Sequence, residues 1–292
     1  MTTSAKIAGA PISWGVCEVP GWGHQMVRDR VLSEMVSVGY TACEFGPLGF
    51  LPEAPAERKA VLDAAGLSAV GGFVPVVLHK ADHNPVPEIT AELEVFAACG
   101  ATVMVLAASS GEDSYDSRPM LNDAEWSTML SNLATLRDLA ATYGVTAVIH
   151  PHVGTMVEDN ADITRVLEGS DIGFCFDTGH MLIGGTDPVD FAVNHANRIK
   201  HVHLKDVNLP VAERVRAGEI TYYVGVTQGL YAPLGQGDVD VATIVRSLSA
   251  AGFDGWYVLE QDNVITAEPA AGEGPLADAR ASVEFLRGVL AS

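Results

Sequence analysis

Asp177-Thr-Gly-His180 and His201-Val-His203-Leu-Lys205-Asp206 place carboxylate, imidazole and amine groups at the ends of two apolar runs. These runs are Ile172-Gly-Phe-Cys-Phe176 and the one that begins at Arg198-Ile199-Lys200. Carboxylate and imidazole groups delivered from neighbouring strand ends suit a divalent cation of intermediate hardness. Two further runs finish in ligand-type residues: Val148-Ile-His150-Pro-His152 and Trp256-Tyr-Val-Leu-Glu260. Each has a plainer reading when taken alone. Asp-Thr-Gly makes a helix-capping turn, His-x-His on a strand makes a hydrogen-bonded core pair, and Glu260 can simply face solvent. The same position recurring at four run ends argues instead for one shared cation site, because barrel enzymes gather their chemistry at the C-terminal ends of several strands.

The elements that must position these residues alternate along the whole chain. Strand candidates are Ile7–Ser13, Ala42–Phe45, Ala69–Val76, Thr102–Leu106, Thr146–His150, Ile172–Phe176, His201–Leu204 and Gly255–Leu259. Segments of helical period lie between and after them: Gln25–Val38, Ala56–Ala65, Glu88–Cys99, Asp123–Tyr143, Ala161–Leu167, Pro188–Asn194, Val239–Ala251 and Ala277–Leu290. Gly39, Gly66, Gly100, Gly144 and Gly252 stand where left-handed helix ends are expected. Near-continuous hydrophobicity, as in Ala101-Thr-Val-Met-Val-Leu106, fits parallel strands covered on both faces. Eight strand–helix units over 292 residues predict a single-domain α/β protein, a (β/α)8 TIM barrel spanning 1–292. The connections Asp206–Asp238 and Ala107–Asn122 are long enough to wall a site. The Ala/Gly-rich stretch Thr266–Ala279 reads as a surface loop.

Composition narrows the function. A hydrophobic content of 48% with 18% charged residues supplies a large core. A net charge of −20 with only 17 Lys and Arg argues against a nucleic-acid backbone or an anionic membrane as partner. It weighs equally against a nuclease acting on the same barrel. Cys17, Cys43, Cys99 and Cys175 show no C-x-x-C pairing and read as reduced thiols. The Met1-Thr-Thr-Ser-Ala-Lys-Ile start has no leader pattern, and no run approaches the ~20 apolar residues of a membrane helix. The expectation is a soluble cytoplasmic protein with a small-molecule substrate, as a monomer or homo-oligomer. No glycine-rich phosphate cradle of P-loop or dinucleotide type is present.

With these residues in place, the chain resembles the sugar isomerase/epimerase superfamily of xylose-isomerase-like TIM barrels, and within it the inosose dehydratases. The matching pieces are Ala10-Pro-Ile-Ser-Trp14-Gly15, Cys43-Glu44-Phe-Gly46, His150-Pro-His152-Val-Gly-Thr155, Asp177-Thr-Gly-His180, Arg198-Ile-Lys-His-Val-His203-Leu-Lys-Asp206, the loop from Glu213 to Gly237, and Gly255-Trp-Tyr-Val-Leu-Glu260. The resemblance implies that Asp177, His203 and Glu260 ligate a divalent cation, manganese or cobalt, with zinc or magnesium as alternatives. It also implies that His150 stands where many superfamily members carry a glutamate that binds metal and moves protons. One of the two catalytic carboxylates of the isomerases is then missing, which favours a lyase of polyol or inositol catabolism over an isomerase or epimerase of sugars or sugar phosphates.

Elimination of water from a keto-polyol needs a base for the α-proton and stabilisation of the charge that develops on the carbonyl oxygen. His152, two residues beyond His150, is the candidate base. Glu260 is a ligand that can also carry protons. Lys205 can assist the departing hydroxyl, or can simply pair with Asp206. Glu44 and Trp14, at the ends of the second and first strands, are expected to meet the substrate through hydroxyl hydrogen bonds and ring stacking respectively, although rim packing is an equal reading for Trp14. His180 is expected to donate to a substrate oxygen or to orient a ligand. Arg214 and Arg216 are expected to reach a substrate oxygen or phosphate.

Overall fold

The computed structural model describes residues 5–112 and 115–292; the first four positions of the chain, and 113–114 in the connection Ala107–Asn122, lie outside it. Its strands form one parallel sheet: β1 (Lys6–Gly9), β2 (Ala42–Cys43), β3 (Ser68–Ala69), β4 (Gly71–Val76), β5 (Val103–Ala108), β6 (Thr146–Ile149), β7 (Gly173–Asp177) and β8 (Ile199–Leu204), joined by a last strand, Trp256–Leu259. The spatial order runs β3-β2-β1, then Trp256–Leu259, then β8-β7-β6-β5-β4. The two ends of that order, β3 and β4, are one run of chain interrupted at Val70. Val70 donates to Cys43 O at 3.0 Å and accepts from Thr102 and Val103 N–H groups at 3.0 and 3.2 Å, which closes the sheet into a (β/α)8 barrel. Burial of all six residues of β5 follows from helices covering the outer face and side chains filling the interior.

The surrounding helices are α1 (Arg28–Ser37), α2 (Pro55–Ala65), α3 (Val86–Cys99), α4 (Asp123–Thr142), α5 (Asn160–Gly169), α6 (Thr178–Ile183) and α7 (Pro188–Asn194). All five glycines expected to end helices have positive φ, between 72° and 91°. Asn122 and Asp159 open α4 and α5 with reciprocal capping boxes.

Two sequence expectations need correction. The first strand stops at Gly9, and Pro11–Trp14 forms a 3-10 turn. Pro11 has no N–H for the ladder and a φ suited to a first helical position. The connection from Asp206 to Asp238 is structured, and the second correction concerns Asp206 itself. β9 (Asp206–Val207) and β10 (Tyr231–Ala232) form an antiparallel pair that encloses α8 (Leu209–Arg216) and α9 (Tyr222–Thr227). Asp206, fully buried, accepts from the backbone N–H groups of Val207, Gly235, Gly237 and Val239 at 2.8–3.0 Å. It pins this connection and does not pair with Lys205.

After β10 come α10 (Val241–Ala250), β11 (Trp256–Leu259, the last strand) and α11 (Pro275–Leu290). The stretch from Thr266 is irregular up to Gly274, and Glu268 within it pairs with His24 and Arg30. Among the described residues no helix is long and apolar enough to cross a membrane.

Candidate metal centre and substrate cavity

Parallel pairing sets the site. Asp177 and His203 are register partners on β7 and β8, Val258 on β11 is the partner of His203, and Glu260 N–H bonds Leu204 O at 3.1 Å. Three strand ends therefore deliver ligand-type groups to one point. One ligand atom each from Asp177, His203 and Glu260 lie within 4.8 Å of one another. Donors about 2.0–2.3 Å from a common cation span such separations. His203 Nδ1 stands 3.2 Å from Glu260 Oε2 and 3.5 Å from Asp177 Oδ2. It is buried and makes no hydrogen bond, so it can bind a cation once its proton is released.

Both plain and functional readings of Asp177 hold at once. Its Oδ1 caps α6 by accepting from Gly179 and His180 N–H groups at 2.9 and 2.8 Å, while Oδ2 faces the cluster. Glu44 is turned onto two histidines, its Oε1 accepting from His201 Nε2 at 2.7 Å and His203 Nε2 at 3.1 Å. The second contact fixes the His203 tautomer and aims Nδ1 at the site, in the manner of a carboxylate–histidine–metal arrangement. Glu44 thus stands behind the ligand and also borders the cavity where it was expected to meet substrate hydroxyls.

His150 Nε2 lies 3.3 Å from Asp177 Oδ2, and His150 clusters with Asp177 and His180 and with Cys175 and His203, but not with Glu260. The ring of His152 packs on that of His180 with centroids 3.8 Å apart, and its Nδ1 bonds Val153 O at 2.7 Å. A carbonyl accepts only from a protonated nitrogen, so Nε2 carries the lone pair. Lys205 Nζ lies 2.7 Å from Asp262 Oδ1, 3.1 Å from Glu260 Oε2, 3.2 Å from His180 Nε2 and 3.4 Å from Asp177 Oδ2. Asp262 Oδ2 accepts in turn from Tyr222 OH at 2.5 Å, and that hydroxyl is 2.8 Å from Tyr231 OH.

Burial and charge set the protonation states. Burial pushes the Glu260 carboxyl up to about 7, against the opposing pull of His203 and Lys205. Burial disfavours a charge on His203, yet Cys175, Glu260 and Glu44 outweigh it and hold its pKa well above the ordinary imidazole value. Burial, then the charges of His150 and Lys205, keep His152 well below that value. For Lys205 burial is overcome by Asp177, Asp262 and Glu260, so the ammonium keeps its proton. Glu44 stays ionised despite burial because His203 and His201 surround it.

A cavity of about 400 Å³ opens over these groups, bordered by His150, His152, His203, Lys205 and Glu260. Three residues expected there are elsewhere. Trp14 is fully buried, donates Nε1 to Glu34 Oε2 at 2.8 Å and packs edge-on against Tyr40, because the 3-10 turn swings it off the strand end. Arg214 lies on α8 and bonds Gln228 at 2.8 Å, and Arg216 binds the carbonyls of Ile183 and Leu182; neither borders the cavity. Asp262, Tyr222, Tyr115, Trp22 and Phe73 do border it, and the sequence reading passed over them. Asp262 follows Glu260 by two and shares its strand-end periodicity, a signal that was available. Trp22 and Tyr115 come from loops, Tyr222 from the start of α9 and Phe73 from β4, with no motif to mark them.

A closed parallel barrel with a histidine–carboxylate cluster at the C-terminal mouth defines a TIM-barrel protein equipped to hold a divalent cation. The xylose isomerase-like TIM barrel family matches residues 32–289, and the chain belongs to it. It is 34% identical over 268 residues to the rhizopine catabolism protein MocC of Rhizobium meliloti, covering 89% of this chain and 82% of the relative. It is 30% identical over 268 residues to an inosose dehydratase of Geobacillus thermodenitrificans (strain NG80-2), covering 88% and 89% of the two chains. The fold is shared with an L-ribulose 3-epimerase structure at TM-score 0.73 and 18% identity, covering 99% of this chain and 95% of that one.

Proposed function

We propose that the protein eliminates water from a keto-inositol or related 2-keto-polyol with the help of a divalent cation. The observation that carries this reading is the convergence of Asp177, His203 and Glu260 beside a neutral His152, with a histidine, His150, at the strand end where an isomerase needs its second carboxylate. The 30% identity to an inosose dehydratase supports the choice of substrate.

Asp177, His203 and Glu260, with His150 as the fourth candidate, would hold the cation. Bound there, a divalent ion supplies Lewis-acid stabilisation of the charge developing on a carbonyl oxygen. Glu44 keeps His203 oriented. His152 Nε2 takes the α-proton; the C–H electron pair becomes the new C=C bond as the β C–O bond breaks, and Lys205 gives its proton to the departing hydroxyl, which leaves as water. His180 touches both partners, with its Nε2 3.2 Å from Lys205 Nζ and its ring against His152, and can return the proton.

Sugar isomerisation or epimerisation is the second reading. One observation favours it: a carboxyl pushed up to about 7, as in Glu260, suits a group that both gives and takes protons. Proton NMR of a keto-inositol incubated in deuterium oxide with the manganese-loaded protein separates the two. The dehydratase reading expects a dehydrated product that carries deuterium at the carbon that lost its hydroxyl, taken up when the enol tautomerises. A stereoisomer formed without any dehydrated species would move the assignment to the second reading.

A further inference from the structure

Beneath the candidate cation centre lies a second layer of the barrel interior. Strand periodicity places Cys175 under Asp177 on β7 and His201 under His203 on β8. Cys175 and His201 are register partners, as Asp177 and His203 are one step higher. Cys175 is fully buried and packs among Val103, Val105 and Val148, an apolar setting that gives its thiol no role in the elimination proposed above. Its Sγ lies within 4.8 Å of a ring nitrogen of His150 and one of His203, and those two nitrogens are as close to each other. Both rings hold an Nδ1 that is buried and makes no hydrogen bond, while His203 Nε2 is taken by Glu44 and His150 Nε2 faces Asp177. Two unpartnered imidazole nitrogens beside a thiol are costly in a packed interior unless something binds them.

We propose that Cys175, His150 and His203 form an inner seat for a thiophilic cation of the zinc or cadmium class, an alternative to the seat at Asp177, His203 and Glu260. A sulfur and two imidazole nitrogens suit a soft or borderline ion, whereas the two carboxylates above suit a harder one such as manganese. Binding exchanges the S–H bond for a sulfur–metal bond, and the proton goes to solvent. Because His203 has only Nδ1 to give, the two seats fill one at a time. An ion drawn inward leaves Glu260 without a metal, so the barrel sorts cations by depth, hard ions at the mouth and soft ions one layer down. The inner seat stands independently of the reaction proposed above; only its competition with manganese rests on the centre named there.

The test is titration of the metal-stripped protein with cadmium chloride, followed by the ultraviolet thiolate-to-cadmium charge-transfer band and by cadmium NMR, which separates sulfur ligation from nitrogen and oxygen alone. Cys17→Ser removes the half-buried thiol that borders the cavity and serves as the background for both readings. The expected result is a saturable band and a sulfur-type shift in the wild type and in Cys17→Ser, both lost when Cys175→Ala or the isosteric Cys175→Ser is added. In the manganese-loaded protein cadmium should release the manganese, seen as the free-ion electron paramagnetic resonance signal. A shift of nitrogen and oxygen type in Cys17→Ser, or a band that survives removal of Cys175, would overturn the inner seat and leave a manganese-binding mouth standing. A sulfur signal that depends on Cys175 in a protein that takes up no manganese would support the inner seat and remove the centre at Asp177, His203 and Glu260. Cadmium held by Cys175 with manganese still bound would support the seat and overturn the competition.

Discussion

Lys205 donates to Asp262, at 2.7 Å, and not to Asp206, its neighbour in sequence. The choice follows from the strand ends: Asp206 turns away to bind four backbone N–H groups, and Asp262, two residues past Glu260, is carried to the same side as the lysine. The single ammonium thereby balances Asp262, Glu260 and Asp177 together.

Removal of that charge tests the balance. Lys205→Met leaves buried carboxylates without their cation, and the metal-free protein should lose about 3–5 kcal/mol of stability. Added manganese should recover part of the loss, because a divalent ion supplies charge at Asp177 and Glu260. Thermal melting with and without the metal reads both effects. A variant that melts like the wild type in both conditions contradicts the pairing.

Cation uptake should release protons. His203 is held protonated well above its ordinary value and Glu260 up to about 7, and both must lose a proton to act as ligands. Affinity should therefore rise as pH increases through 7 and onward, and fall in acid as both groups take up protons. Titration calorimetry in buffers of different ionisation enthalpy measures the proton count directly. Affinity independent of pH between 6 and 8 would show that these groups do not bind the ion.

His150 and His152 should behave differently when removed. His150→Ala should weaken metal retention, since its Nε2 faces Asp177 Oδ2 at 3.3 Å. His152→Ala should keep the metal and lower turnover by on the order of 10² to 10⁴, the range for a general acid–base group. Elemental analysis beside steady-state rates checks both. Metal loss in the second variant with retention in the first would reverse the two roles.

Asp206→Ala should loosen the connection from β8 to α10. Four backbone N–H groups lose a buried carboxylate, at a cost of about 3 kcal/mol or more. Because Tyr222 and Tyr231 ride on this segment, hydrogen exchange there should accelerate while the barrel strands stay protected. Unaltered exchange across 206–238 would contradict the anchoring role.

The barrel was legible because its signals are local: apolar runs such as Val103–Ala108, glycines at helix ends, and spacing that leaves no room for another architecture. Asp177, His203 and Glu260 were legible for the same reason, as each closes an apolar run. What sequence did not reveal depends on contacts between distant segments. Trp14 reads as a strand-end aromatic until Pro11 turns the chain and Glu34, twenty residues on, takes its indole N–H. Glu44 reads as a substrate ligand, and nothing near it in sequence shows that β8 brings two histidines against it. Asp262, Tyr222 and Tyr231 form one hydrogen-bonded chain whose members come from beyond the end of β11, the start of α9 and β10, a relation that no periodicity encodes.

The most direct test is the ultraviolet absorbance of a dehydrated product formed from a keto-inositol by protein stripped with a chelator and then supplied with manganese, beside Asp177→Ala treated identically. The wild type should be silent when stripped and recover when the metal is restored, and Asp177→Ala should stay silent in both conditions. Product formed at an undiminished rate by the stripped protein, or equally by Asp177→Ala, would contradict a cation centre at Asp177, His203 and Glu260.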